Sequence, residues 1–355
     1  MLSQGYSRNR PDLAKPRRIL LVRTDRIGEL LLTTPAFASV RESFPGAKIT
    51  LIVKPSSSAV VEGNPSVDSI VKLDPGPDLD SLAKRFRFIR FLALSGFDMA
   101  IIFNPSKFFN VAAFLAGIPA RVGYDRKLGF LLTDAIEDKK YLCEKHEVEY
   151  NLDLAKAAGA GVLSEKLYFP LGEKDERAAA EILAQNGFAG GGFVAIHPGT
   201  SNPEKSWPAE SFARLCDKII EGLGMKVVLV GGKEECAVAG EVKAKMRNAI
   251  PDLTGKLALK EFGALLKRSL LLVSCDSGPV HIASAVGIPV VALFGEGRPG
   301  GSSKRWGPYG GGRSPAEAGQ GPIAMGNIVI GSPKVTDITV DDVFEAVSGK
   351  LWKRT

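Results

Sequence analysis

Three short segments carry the side chains that could do chemistry, and each follows an apolar run. In HPGTSNPEKSWP (197–208), Thr200 and Ser201 offer hydroxyl groups and Lys205 a compact positive charge, a combination that suits the oxygens of a diphosphate. In CDSGPVHIASAVG (275–287), a buried strand ends at Asp276 and a turn through Ser277 and Gly278 leads into a helix. Pro279 fits the start of that helix, whose free backbone N–H groups form an anion site; the rival reading is plain capping by Asp276 or Ser277. Both segments lie at the carboxyl ends of strands, where open parallel sheets bind ligands, so they can converge. In RTDRIGELLLTTP (23–35), Asp25, Arg26 and Gly28 serve as turn or acceptor-contacting residues, with Gly28 allowing a tight turn, and Glu29 opens the next helix. The helix dipole keeps such a carboxylate ionised, and burial that stops its pKa from falling suits it to accept a proton. Without that burial it is an ordinary first-turn glutamate.

Other candidates have a plainer reading beside the chemical one. Asp78 and Asp80 match the Asp-x-Asp pattern of manganese-dependent sugar transfer, but DPGPDLDSLAK reads as a turn and helix cap. His281 either meets a bound phosphate or is a neutral core residue; His197 orients its Pro-Gly turn or touches ligand; His146 is structural. The four cysteines, Cys143, Cys216, Cys236 and Cys275, form no CxxC pair and read as reduced thiols. No metal site is expected. Neither a Walker loop nor a GxGxxG turn occurs between a strand and a helix, which argues against nucleotide hydrolysis and dinucleotide chemistry. The run KRFRFIRFLALSGF (84–97) interleaves basic and aromatic residues, either for an anionic membrane surface or as a half-buried helix with a solvated basic edge.

The elements that must position these residues alternate along the chain. RILLVRT (18–24), AKITLIVKP (47–55), SIVKLD (69–74), FDMAIIFNPS (97–106) and RVGY (121–124) read as strands separated by helical spacing. FVAIHPG (193–199), KVVLVGG (226–232), SLLLVSCD (269–276) and PVVALFG (289–295) repeat the pattern. Strands buried on both faces imply parallel, doubly wound α/β sheets. A length of 355 residues suggests two domains, here 18–175 and 190–335 with the linker in 160–192. Residues 1–17 read as a mobile tail, 295–321 as a long irregular loop and 336–355 as a C-terminal helix returning to the first domain. With 45% hydrophobic and 24% charged residues the composition is that of a globular chain. No apolar stretch approaches the roughly 18 residues of a membrane span, and the basic start lacks the apolar core of a signal peptide. The net charge is +7, yet residues 1–130 alone hold 19 basic and 11 acidic side chains, so the first half is suited to an anionic partner. Nucleic acid is disfavoured, because no recognition helix, zinc spacing or RNA-binding signature occurs.

In this order and spacing, RILLVRTDRIGELLLTTPAF, RVGYDRKLGFLLTD with HEVEYNLDL, HPGTSNPEKSWP and CDSGPVHIASAVGIPVVALFG resemble the family 9 glycosyltransferases, the lipopolysaccharide heptosyltransferases and their relatives. The resemblance covers roughly residues 18–350. It implies a GT-B fold of two facing Rossmann-like domains, with Glu29 directed to the cleft between them, the acceptor on the first and an ADP-sugar, by default ADP-heptose, on the second. It also implies metal-independent transfer with inversion. The family's catalytic carboxylate falls on Glu29, where members usually have the shorter Asp. Its phosphate-binding residues fall on Thr200, Ser201 and Lys205, and its donor-binding turn on Asp276, Ser277 and Gly278, with His281 beyond. Its ribose-binding glutamate falls on Glu234 or Glu235. The cysteines that many members carry before the last helix are missing from 296–355. The implied acceptor is an anionic glycolipid, met in the cytoplasm at the inner face of the inner membrane. Two other readings use the same scaffold: a nucleotide-sugar epimerase, and a non-catalytic binding protein in which Glu29 merely opens a helix.

Overall fold

The computed structural model describes residues 15–162, 164–188, 190, 192–297, 302–310 and 327–351. Positions 1–14 of the expected tail and 298–301 and 311–321 of the expected loop lie outside the described residues. The chain divides into two units: 15–58, Glu62–Lys139 and Val148–Ser164 form the first, and Ala59–Val61, Lys140–Glu147 and the described residues from Glu165 onward form the second.

The first unit is built on six parallel strands in the order β3-β2-β1-β4-β5-β6: β1 Arg18–Val22, β2 Lys48–Val53, β3 Ser69–Lys72, β4 Met99–Ile102, β5 Ala120–Tyr124 and β6 Asp134–Ile136. Residues 19–22 are all buried because helices cover both faces of the sheet, which explains an unbroken apolar run in place of an alternating one. The helical spacing after β1 resolves into α1 (Ile27–Leu31) and α2 (Thr34–Ser43). Pro35 cannot donate to the Leu31 carbonyl, which takes the Thr34 hydroxyl at 2.8 Å instead, while Thr33 Oγ1 donates to the Glu29 carbonyl at 2.7 Å. Helices α3 (Leu82–Ser95) and α4 (Lys107–Leu115) pack on each other over one face of the sheet. The short β6 escaped the sequence reading because DAI carries no alternation long enough to signal a strand.

Helix α5 (Glu147–Ala157) crosses the division between the units, and α6 (Glu173–Gln185) belongs to the second. There β7 (Phe193–His197), β8 (Lys226–Leu229), β9 (Leu271–Cys275), β10 (Val290–Gly295) and β11 (Ile328–Ser332) form a parallel sheet in the order β11-β10-β9-β7-β8. Helices α7 (Ala209–Leu223), α8 (Cys236–Lys245), α9 (Leu259–Arg268) and α10 (Gly278–Val286) connect the strands. The strand order reverses between β7 and β9, the switch point at which doubly wound sheets bind ligands.

Three boundaries differ from the sequence reading. The first domain ends at Ser164, not 175, because α6 packs on α9. Residues Lys140–Glu147 join the second unit, where the buried Glu147 carboxylate accepts from Lys140 Nζ at 2.7 Å and from Arg305 Nε and Nη2 at 3.0 and 2.9 Å. Desolvating that carboxylate demands both cations. The last helix, α12 (Val340–Leu351), belongs to the second unit: Val340, Val343 and Val347 enter that unit's core, and the helix packs against α7. Part of the expected irregular loop is also ordered, since Ser302 caps the short helix α11 (Ser303–Trp306), which carries Arg305.

After β5 the backbone turns through Lys127 and Leu128, both left-handed at φ 48° and 70°, a conformation unfavourable for non-glycine residues. The buried Asn110 amide holds this turn by donating to the carbonyls of Arg126 and Lys127 at 3.3 and 3.1 Å. Asn110→Ala should destabilise the protein by about 1–3 kcal/mol, the usual loss when buried hydrogen bonds go unmade, read as a lower urea midpoint; an unchanged midpoint contradicts this role.

Candidate active site

In the second unit, strands β7 and β9 pair with His197 opposite Ser274, so the loops that follow them emerge side by side. Lys205, in the first loop, donates to the Asp276 carboxylate in the second, joining the two segments across 71 positions of sequence. Their side chains are 29% and 11% exposed, so the pair is largely shielded from bulk water. An ammonium has three donors, and Asp276 takes one of them. Ser277 occupies the N-cap position of α10 but makes no capping bond there. Its hydroxyl lies 2.9 Å from Ser274 Oγ and 3.5 Å from His197 Nδ1, so the N–H groups of the helix start are not closed off by the side chain the capping reading assigned to them. Gly278 is the first residue of α10.

His197 is buried, lies 3.0 Å from Ser274 Oγ, and has its pKa pushed down to about 4 by desolvation. It is therefore a neutral strut beneath the turn. His281 is likewise buried and neutral, its pKa pushed down to about 3 chiefly by desolvation, and its Nδ1 has no hydrogen-bond partner. It brings no positive charge to a diphosphate. His146 is structural: Nε2 donates to the Gly307 carbonyl at 3.0 Å and the ring stacks on Tyr309 at 4.4 Å. Thr200 Oγ1 sits 3.4 Å from the Asn202 carbonyl, shaping its own loop, and Ser201 is exposed beside it. Of the two glutamates after β8, Glu235 accepts from the Gly232 N–H at 2.5 Å and lies so close to Gly199 that a Cβ there would fall 1.9 Å from its Cγ. Glycine at 199 thus lets Glu235 reach the Thr200 loop, while Glu234 is exposed. Cys216 and Cys275 are buried thiols with pKa pushed up to about 12, and all four cysteines are free.

In the first unit, Glu29 sits in the first turn of α1, partly covered. Burial raises its pKa above the ordinary glutamate value against smaller lowering effects of its backbone hydrogen bond and of Arg23 and Arg26. A carboxylate desolvated in this way is a stronger base than a free one. Gly28 differs from expectation: it is a buried helical residue without positive φ, so the tight turn falls on the residues before it. Asp25 pairs with the buried Arg23 at 3.2 Å, whose Nη1 donates to the Phe103 carbonyl at 3.1 Å; Arg26 occupies the N-cap position of α1. Asp78 accepts from the Asp74 N–H at 2.8 Å and Asp80 pairs with Lys84 at 2.9 Å, the turn-and-cap roles of the plainer reading.

Sequence reasoning missed a cavity of about 440 Å³ at the carboxyl ends of the first sheet's strands, lined by Thr24, Asp74 and Asn104 and by three lysines, Lys54, Lys107 and Lys127. None of these lysines has an ion-pair partner among the described residues. The missed signal is positional: Lys54 directly follows β2, Lys107 opens α4 and Lys127 stands in the turn after β5, all at the sheet end where ligands bind. Most of the run 84–97 lies in α3, with Phe88 and Leu92 buried and the helix's other aromatic and basic side chains largely exposed, while Phe97 beyond the helix is buried.

Among the described residues no helix is long and apolar enough to cross a membrane. A glycosyltransferase family 9 structure from Veillonella parvula superposes with a TM-score of 0.81 at 23% identity, covering 95% of this chain and 98% of that one. The Escherichia coli ADP-heptose lipopolysaccharide heptosyltransferase II superposes with a TM-score of 0.75 at 21% identity, covering 95% and 99%. These likenesses place the fold in the GT-B type. In sequence, the E. coli lipopolysaccharide heptosyltransferase 3 is 26% identical over 277 residues, covering 76% of this chain and 80% of its own. The model of glycosyltransferase family 9 (heptosyltransferase) matches residues 85–312, well over half of the chain, and the chain therefore belongs to glycosyltransferase family 9.

Proposed function

We propose that this enzyme transfers a heptose from ADP-heptose to an anionic, lipopolysaccharide-core acceptor, with inversion and without a metal ion. The Lys205–Asp276 pair carries the reading, because it gathers both second-unit motifs around one cation beside an uncapped helix start. Relatives support the choice of donor and acceptor: an E. coli heptosyltransferase was solved with ADP and with ADP-2-deoxy-2-fluoro heptose, and related chains are lipopolysaccharide heptosyltransferases. On the donor side, Lys205, Thr200, Ser201 and the N–H groups of α10 meet the diphosphate, and Glu235 rather than Glu234 meets the ribose hydroxyls. On the acceptor side, the lysine-lined cavity takes phosphate or carboxylate groups, and Glu29 receives the proton of the attacking hydroxyl.

The oxygen–C1 bond forms as the C1–phosphate bond breaks on the opposite side, the proton passes to Glu29, and ADP departs with its negative charge held by Lys205 and the helix dipole. Lys205 and the helix N-terminus together do the work a divalent ion does in Asp-x-Asp enzymes. With such an acceptor, the reading includes a peripheral enzyme working in the cytoplasm at the inner face of the inner membrane. Neither rival reading explains the set as well: a binding module gains nothing from a desolvated carboxylate, and an epimerase has no use for a basic acceptor cavity.

Glu29→Gln should lower kcat by about 10²–10⁴, the range for loss of a general base, with ADP-heptose affinity nearly unchanged; retained turnover identifies Glu29 as an ordinary helix residue. Because the folded pKa of Glu29 is raised, ionising it opposes folding, a penalty present at neutral pH that is relieved as pH falls through the raised folded pKa and is gone below the ordinary value of 4.5. The same variant should therefore melt at or above the wild-type temperature at pH 7 and lose that advantage in acid; a lower Tm at pH 7 contradicts it. Lys205→Ala should weaken ADP-heptose binding about 10- to 100-fold, the range for a hydrogen bond to a charged group, and unchanged affinity removes Lys205 from the donor site. Transfer should persist in EDTA, whereas an absolute manganese requirement returns Asp78 and Asp80 to consideration.

A further inference from the structure

Helix α3 presents an outward face that the protein itself leaves uncovered. Ser81 caps it through the Lys84 N–H, and Gly96 ends it in the left-handed conformation at φ 61°, so the element is complete over 14 residues. Its buried stripe is Phe88 and Leu92, packed toward the sheet and α4. At four-residue steps along another flank come Leu82, Phe86, Arg90 and Leu94, with Arg87 and Phe91 beside them. Leu82 is 83% exposed, Phe86 69%, Leu94 75% and Phe91 42%. Large apolar side chains in that density are the mark of a contact surface.

The charge on this face selects its partner. From Ser81 to Phe97 there are four basic residues and no acidic one. Lys84 pairs with Asp80, and Arg85 donates to the Leu79 carbonyl at 2.8 Å, but Arg87 and Arg90 have no ion-pair partner among the described residues. A protein partner that buried Phe86 and Leu94 would have to supply carboxylates for two flanking guanidinium groups. A bilayer surface supplies anionic headgroups around an apolar interior without any such matching, and long arginine side chains reach the headgroups while the rings enter.

We propose that α3 is the membrane-docking element of this enzyme, lying along an anionic lipid surface with Leu82, Phe86, Phe91 and Leu94 in the interface and Arg87 and Arg90 on headgroup phosphates. This rests on the membrane-surface part of the proposed function and is independent of the transfer chemistry.

The test is co-sedimentation of the full chain with vesicles of mixed phosphatidylglycerol and phosphatidylcholine, and with phosphatidylcholine alone, at low and high salt. Two exposed-face variants are compared, Phe86→Ser with Leu94→Ser and Arg87→Gln with Arg90→Gln, and ADP titration verifies that each retains a folded donor site. The wild type should bind the anionic vesicles preferentially. The apolar variant should lose at least tenfold in partitioning, and the arginine variant about 25-fold at low salt, from about fivefold for each charge near an anionic surface, with a shallower salt dependence. Wild-type binding that both variants retain in full overturns the assignment to α3 while the membrane reading stands. Absence of wild-type vesicle binding overturns both, leaving donor titration as the separate measure of the transfer reading. A concentration-dependent dimer that the apolar variant abolishes, without vesicle binding, shows that a second copy covers the face and also overturns the proposal.

Discussion

The second unit is organised around one ion pair. Parallel pairing of β7 with β9 brings two loops together at the strand-order reversal, and the Lys205–Asp276 contact fixes how they meet. A lysine held by a carboxylate is more useful to a diphosphate than a free one, because its side-chain entropy is already spent before the ligand arrives. Asp276 adds local negative charge, so in the proposed donor site phosphate is attracted only as long as the pair and the α10 start act together. The rest of the unit keeps this arrangement rigid. His197, Ser274 and Ser277 form a neutral hydrogen-bonded floor, and the buried Trp207, two residues beyond Lys205, donates to the Ile338 carbonyl at 2.9 Å. That last bond also explains why the C-terminal helix belongs here: the segment leading to α12 holds the loop that carries Lys205.

The first unit solves a different problem, which is to keep a carboxylate basic. Its position at a helix start alone would lower the pKa of Glu29, and Arg23 acts in the same direction; burial outweighs both. Arg23 is itself committed to Asp25 and to the Phe103 carbonyl, with Asn151 Oδ1 at 3.5 Å, and the Asn151 amide donates to the Leu32 carbonyl at 3.1 Å. Asn151 lies in the segment HEVEYNLDL, whose part in the site thus becomes physical: its asparagine ties α5 to the ends of β1 and α1, while its glutamate Glu147 neutralises Lys140 and Arg305 in the second unit.

Much of this was legible in the sequence because strand-end loops leave strong local marks. Apolar runs followed by Asp-Ser-Gly-Pro or by Thr-Ser and a lysine identified the two strand-end loops that meet in the second unit, and the βαβ alternation identified both sheets. What failed depended on tertiary partners. Gly28 looks like a turn residue in one dimension but is buried within a helix. The destination of the amphipathic segment 336–355 is set by which core accepts Val340, Val343 and Val347, which its own spacing does not encode. The three cavity lysines are 53 and 20 residues apart in sequence and carry no common motif; only the sheet order brings them together. Glu234 and Glu235 are indistinguishable as letters, and it is the missing Cβ of Gly199 that distinguishes them.

The most direct measurement is calorimetric titration of the full chain, in EDTA, with ADP, UDP and GDP and with ADP-heptose. A donor site built on Lys205, Asp276 and the α10 start predicts saturable one-to-one binding of ADP and ADP-heptose without metal, in preference to UDP and GDP. Binding of none of these nucleotides in the absence of a divalent ion would contradict the account at its centre.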